Sequence, residues 1–170
     1  GELQARIRRR AAEESELVLD PLFFDALAHA LGNASVERAE LKGGRGDNEM
    51  TRFRYDVVLR KQGGSFAPVR TAGRVVRAPE AASLDNLRAL LTDRPDALTV
   101  TGARNRRVAA DVLATTLLAD RTEGRVRDLR ASLPVGLGLD PEDIRRLDAD
   151  YDVEIEFTPG QPDAMDVAFR

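Results

Sequence analysis

Glu154 and Glu156 are the pair in this 170-residue chain whose types and spacing most directly suggest chemistry. On an extended segment, residues two apart share a face. Two carboxylates placed that way could bind a metal ion or divide acid and base work. The solvent-facing side of an edge hairpin carries the same pattern, and that is the preferred reading. His29, the only histidine, stands alone inside a helical pattern, where a structural or exposed place is preferred to a ligand or general-base role. Arg8-Arg9-Arg10 could touch a phosphate or an acidic partner, but such a run on a helix is usually a solvated face. Gly43-Gly44-Arg45-Gly46 lacks the Lys-Ser/Thr of a phosphate loop and joins two strand patterns instead of opening a helix. Gly136 and Gly138 have no strand before them and make no dinucleotide fingerprint.

Composition narrows the field further. There is no cysteine, so disulfides, thiolate zinc sites and cysteine nucleophiles are excluded together. Aromatic residues are 5% and the net charge is −3, a poor basis for binding nucleic acid. Apolar residues at 42% and charged residues at 32% are ordinary for a soluble domain. No apolar run is long enough to span a membrane, and no leader pattern follows the early arginines, so the expected location is the cytoplasm.

The elements that must position these residues are legible in outline. Residues 2–16 read as a helix with Leu3, Ile7 and Ala11 on one stripe. Asp20-Pro21 opens a second helix that Gly32 closes, with Phe23 or Phe24, Leu27 and Leu31 expected on its buried side. Residues 36–41 and 52–60 read as strands, with Phe53, Tyr55, Val57 and Leu59 facing one way, and a long connection between them. Further expectations are a strand at 74–77, a helix from Leu84 to Leu91 capped by Ser83, a strand at 97–101, and helices at 107–119 and 125–132. Asp140-Pro141 opens a helix to about residue 148, and a hairpin pairs Val153, Ile155 and Phe157 with Met165, Val167 and Phe169 around Pro159-Gly160. Gly63-Gly64-Ser65 marks the plausible boundary between residues 1–62 and 63–170.

One stretch is far more specific than these patterns. Asn48-Glu49-Met50-Thr51-Arg52-Phe53-Arg54-Tyr55-Asp56-Val57-Val58-Leu59, preceded by Lys42-Gly43-Gly44-Arg45, closely resembles a segment of the methyltransferase domains embedded in nonribosomal peptide synthetases. Met50 replaces the usual Leu of that family, and Gly44 stands where Arg is common. Glu16 to Phe24 resembles the family's E-L-x-x-D-P-x-F-F, and Asn105-Arg106-Arg107-Val108 its N-A-R-[LV], with Arg106 in place of the small residue. Asp140-Pro141-Glu142, Tyr151 to Ile155 and Met165 to Phe169 resemble its final segments in the same order.

The resemblance implies an α+β fold. The strand pair would close a class I methyltransferase-like sheet, and a small α+β subdomain ending in a hairpin would lie beside the acceptor side. It implies methyl transfer from S-adenosylmethionine, most often to nitrogen, onto an aminoacyl or peptidyl group tethered to a carrier protein. Acceptor-side roles would fall to Glu49, which could orient or deprotonate an amine, and to Tyr55 as a phenol donor. Asn48, Arg52, Arg54, Asn105 and Arg107 would meet substrate, phosphopantetheine or carrier. For each the alternative is structural: Glu49 pairing with Arg52 or Arg54, and Tyr55 in the core. The family's cofactor site lies before the segment matching residue 1, and neither its glycine-rich loop nor its ribose-binding acid occurs here. The chain is therefore expected to be a fragment that binds no cofactor alone. Its expected partners are the missing methyltransferase core, the adenylation and carrier-protein domains of the same synthetase, and a further copy of the chain over the exposed strand pair. The alternative from another class is a noncatalytic interaction module derived from a degenerate methyltransferase.

Overall fold

A computed structural model describes residues 2–61, 73–78, 83–120 and 126–170. The chain order is α1 (Glu2–Ala12), α2 (Leu22–Leu31), β1 (Ala34–Leu41), α3 (Glu49–Phe53), β2 (Tyr55–Lys61) and β3 (Arg74–Arg77). There follow α4 (Leu84–Leu91), β4 (Leu98–Arg104), α5 (Ala109–Asp120), α6 (Val126–Ser132), α7 (Pro141–Arg145), β5 (Val153–Phe157) and β6 (Ala164–Phe169). Local chemistry accounts for most of the boundaries. The Asp20 carboxylate accepts from Leu22 N–H at 2.9 Å, and Gly32, at φ 69°, ends α2 in the left-handed conformation. Ser83 caps α4 through Asn86 N–H, and Asp140 caps α7 through Glu142 N–H with Pro141 in the first turn.

The six strands form one mixed sheet in the order β2-β1-β5-β6-β4-β3. β3 and β4 run parallel, and the other neighbours are antiparallel. Strand alternation puts Leu98, Val100, Val153, Ile155, Met165, Val167 and Phe169 on one face, all buried. Leu87 and Leu91 of α4 and Ile144 of α7 complete that core. The opposite face carries Glu40, Glu156 and Asp166 in register across three strands. The α+β class that the resemblance implies is the one observed. The strand pair before residue 62 and the hairpin after residue 150 share this sheet, while Gly63-Gly64-Ser65 lies outside the described residues.

Several expectations need correction. The strand expected over 52–60 begins at Tyr55, because residues 49–53 are α3. Asn48 and Thr51 form a reciprocal capping box there, which outweighs the alternating pattern and leaves Phe53 about half exposed. The hairpin bearing Glu154 and Glu156 is not at an edge, since β1 lies against β5, and both carboxylates are half-buried. On α2 the buried side is Ala28, with Phe24 and Leu27 half-buried, whereas Phe23 and Leu31 are exposed. That helix packs mainly on β1 at the margin of the sheet, so one stripe suffices to cover it. α1 ends at Ala12 instead of residue 16 and buries no residue, and α7 ends at Arg145 instead of near 148.

Candidate functional site

The residues joining β1 to β2 are held by buried charged side chains from the distant part of the chain. Arg107, just before α5, has a side chain only 8% exposed. Its Nη1 donates to the carbonyls of Lys42 at 2.7 Å and Thr51 at 3.0 Å, and its Nη2 to that of Gly44 at 2.5 Å. A planar guanidinium with diverging donors suits three carbonyls on a curved loop. Asn105, buried, fixes the start of this arm: its Oδ1 accepts from Arg107 N–H, and its carbonyl accepts from Val108 and Ala109. Glu142 of α7, also buried, accepts from Gly44 N–H at 2.8 Å through Oε1. Thr51 closes the loop from within by donating its hydroxyl to the Gly46 carbonyl.

α3 presents the next group. Arg52 Nε donates to the Arg107 carbonyl at 3.1 Å, and its guanidinium also pairs with Asp111 of α5. Arg54 Nη2 meets Glu49 and Glu16, each at 2.6 Å. These two carboxylates, Glu49 the stronger, raise the Arg54 pKa above its ordinary value. Tyr55 donates its hydroxyl to the Leu19 carbonyl at 2.5 Å, and its ring stands edge-to-face against both Phe24 and Phe157. Burial, helped by Asp20, pushes the Tyr55 phenol pKa up, so it stays a hydrogen-bond donor through the neutral range.

Arg52 and Arg107 line a cleft of about 370 Å³ together with Arg45, Gly46, Asp47, Arg106, Ala110 and Asp140. Of the residues singled out from sequence, the fold thus brings Arg52 and Arg107 to one cleft, with Asn105 supporting them. Asn48 caps α3, while Glu49 and Arg54 pair with each other and Tyr55 points into an aromatic cluster, outside the cleft lining. Arg45 and Arg106 are additions: Arg45 pairs with Asp143 at 3.4 Å and Arg106 with the same carboxylate at 2.9 Å. The positive lining is therefore largely matched by Asp47, Asp111, Asp140 and Asp143. Glu142 was also unanticipated. Only its place after Asp140-Pro141 sets it apart in the sequence, and nothing local shows that it reaches a loop 98 residues away.

The elements also bear on whether S-adenosylmethionine fits this chain. The strand-to-helix turn after β4, at the parallel pair, is Asn105-Arg106-Arg107-Val108. Its backbone N–H groups are already used: Asn105 donates to Asp163, Arg106 to Leu139, Arg107 to Asn105 Oδ1 and Val108 to Asn105. A turn with no spare donor and no glycine does not cradle the cofactor, so no step of methyl transfer is assigned to these residues. Among the described residues no His/Asp/Glu group could hold a metal ion. None of the described helices is long and apolar enough to cross a membrane.

No protein-family model matches the chain. Among curated proteins it is 31% identical over 170 residues to the chondramide synthase CmdD of Chondromyces crocatus, an alignment covering 95% of this chain and 4% of that protein. It is also 34% identical over 120 residues to a probable non-canonical nonribosomal peptide synthetase, CymA, of Salinispora arenicola, covering 68% of this chain and 1% of that protein. The chain therefore spans only a few per cent of the length of these relatives. It is thus similar to a segment of a chondramide synthase and to a segment of a probable non-canonical nonribosomal peptide synthetase.

Proposed function

We propose that the chain is the acceptor-side portion of an S-adenosylmethionine-dependent methyltransferase unit within a nonribosomal peptide synthetase, acting on the nitrogen of a carrier-tethered aminoacyl or peptidyl group. The observation that carries this reading is a meeting of two family-like segments. Arg52, from the Asn48–Leu59 string, donates to the Arg107 carbonyl of the Asn105–Val108 segment, and both side chains line one cleft. Arg45 and Arg106 add guanidinium groups to its lining, which would exchange their Asp143 partner for the phosphate of a phosphopantetheine tether. The cofactor-binding half would belong to another part of the same polypeptide. The outer edge of β2, unpaired among the described strands, offers that half a strand to extend; a second copy of the chain is the other occupant of the same edge.

The test is methyl transfer from radiolabelled S-adenosylmethionine to an aminoacyl thioester on its carrier protein, using the whole encoded synthetase. Transfer that falls at least tenfold (roughly, for loss of a charge-assisted contact) in R52Q is expected. An intact synthetase that transfers no methyl group would overturn the reading. Calorimetry on the 170-residue chain should show no binding of S-adenosylmethionine, and micromolar affinity would refute the division of the site.

A noncatalytic interaction module is the second reading, and one observation favours it. Glu49, Arg54 and Tyr55 are engaged in holding α3 and the Leu19 segment in place. An intact cofactor-binding sequence encoded alongside this one would argue against it.

A further inference from the structure

β1 and β5 are neighbours in the sheet, yet a single register pair joins them, Glu40 opposite Glu156. By contrast β1 and β2 share seven pairs, and β5 and β6 share five. Side chains add further links across the junction. Arg145 of α7 reaches across the junction: Nη2 donates to the Leu41 carbonyl of β1 at 3.0 Å and Nη1 to the Val153 carbonyl of β5 at 3.1 Å. The same Nη1 pairs with Glu40 at 3.0 Å. Arg38 of β1 adds a longer pairing to Glu154 of β5, at 3.5 Å. The loop after β1 is tied to the far half by side chains too, through Arg107 and Glu142.

Opposed carboxylates on paired antiparallel strands repel. Arg145 offsets the charge of Glu40. Glu156 faces Glu40 and Arg38 from β1 and Asp166 from β6, with Glu154 on its own strand and Arg170 beyond β6. Burial first, and Glu154 next, raise its pKa. Charge at this position therefore opposes closure of the junction.

We infer that the junction between β1 and β5 is a hinge seam, where the α2–β1–β2 unit is fastened to the other four strands by one backbone rung and by side chains, the Arg145 fork and the Tyr55–Phe157 ring contact among them, and can part without unfolding them. The inference stands on this geometry and does not depend on the methyltransferase reading. Parting would carry the loop after β1 away from Arg106 and Arg107 and so open the arginine-lined cleft.

Hydrogen exchange read by mass spectrometry on the chain at neutral pH tests it. In the wild type, residues 34–41 and 55–61 should exchange faster than 153–169. R145K keeps the charge but loses the fork, and should speed exchange of those two segments about tenfold while leaving 153–169 unchanged. E156Q keeps the size of the side chain and removes the like charge opposite Glu40, and should slow exchange at 34–41. Equal exchange of both halves in the wild type would mean a single cooperative sheet and would overturn the seam. So would an R145K effect that is absent or spreads equally into 153–169, or an E156Q variant with unchanged or faster exchange at 34–41.

Discussion

Arg107 is the residue on which the candidate site turns, because its three carbonyl acceptors, on Lys42, Gly44 and Thr51 of α3, bracket a loop that has no strand or helix of its own from 42 to 48. Replacing it by alanine removes the donor to all three carbonyls, of which that of exposed Gly44 can turn to water. R107A is expected to cost about 1–3 kcal/mol, the scale of losing hydrogen bonds to a charged group. Urea unfolding measures the loss, and limited proteolysis localises it: tryptic cleavage after Lys42 and Arg45 should become faster in the folded variant. The importance of Arg107 was visible in the sequence only through its family-like setting. Its three partners lie 56 to 65 residues earlier, a separation no local pattern reports. The same holds for Glu142 and Arg145, whose charges would ordinarily place them in water.

At the scale of elements, the devices that act within a few residues were legible and those that act across the sheet were not. Asp20-Pro21, Ser83, Asp140-Pro141 and Pro159-Gly160 mark real boundaries because a cap or a turn is written in adjacent residues. α3 was hidden because Thr51-Arg52-Phe53-Arg54-Tyr55 alternates like a strand, and five helical residues are too few for a helical period to show. The internal place of β5 was hidden because it depends on pairing with β1, more than a hundred residues away. Two glycines separate strain from crowding. Gly136 and Gly138 both have positive φ, 71° and 90°, but a Cβ on Gly138 would lie 2.4 Å from the Arg104 carbonyl oxygen, while one on Gly136 meets nothing within 4 Å. That close approach lets Leu139 bridge to Asn105 at the foot of β4. G136A should cost about 1 kcal/mol of backbone strain, and G138A about 2–4 kcal/mol with displacement of the 138–140 segment. Urea midpoints of the two variants provide the comparison.

The whole molecule is organised around a strand pair that is distant in sequence from most of what it touches. β6 lies between β5 and β4, and Met165, Val167 and Phe169 are each fully buried. Without it β3 and β4 have no strand linking them to β5 and β1, so the sheet falls into a three-strand piece, β2-β1-β5, and a separate pair, β4-β3. Deleting residues 164–170 should therefore abolish cooperative unfolding, leaving a shallow urea transition by circular dichroism. A sharp transition would show that the two halves of the sheet hold together by other means.

The central position of β6 also fixes an order of events during synthesis. Of the six strands, it is the last to be made. Until it clears the ribosome, nothing joins β4 to β5, and the apolar faces of Leu98, Val100 and Ile155 lack Met165, Val167 and Phe169 beside them. The nascent chain can form its helices and the β1–β2 hairpin early, since these need only near neighbours. The core must wait for the final strand, so every earlier pause in translation leaves an open, adhesive sheet in need of protection.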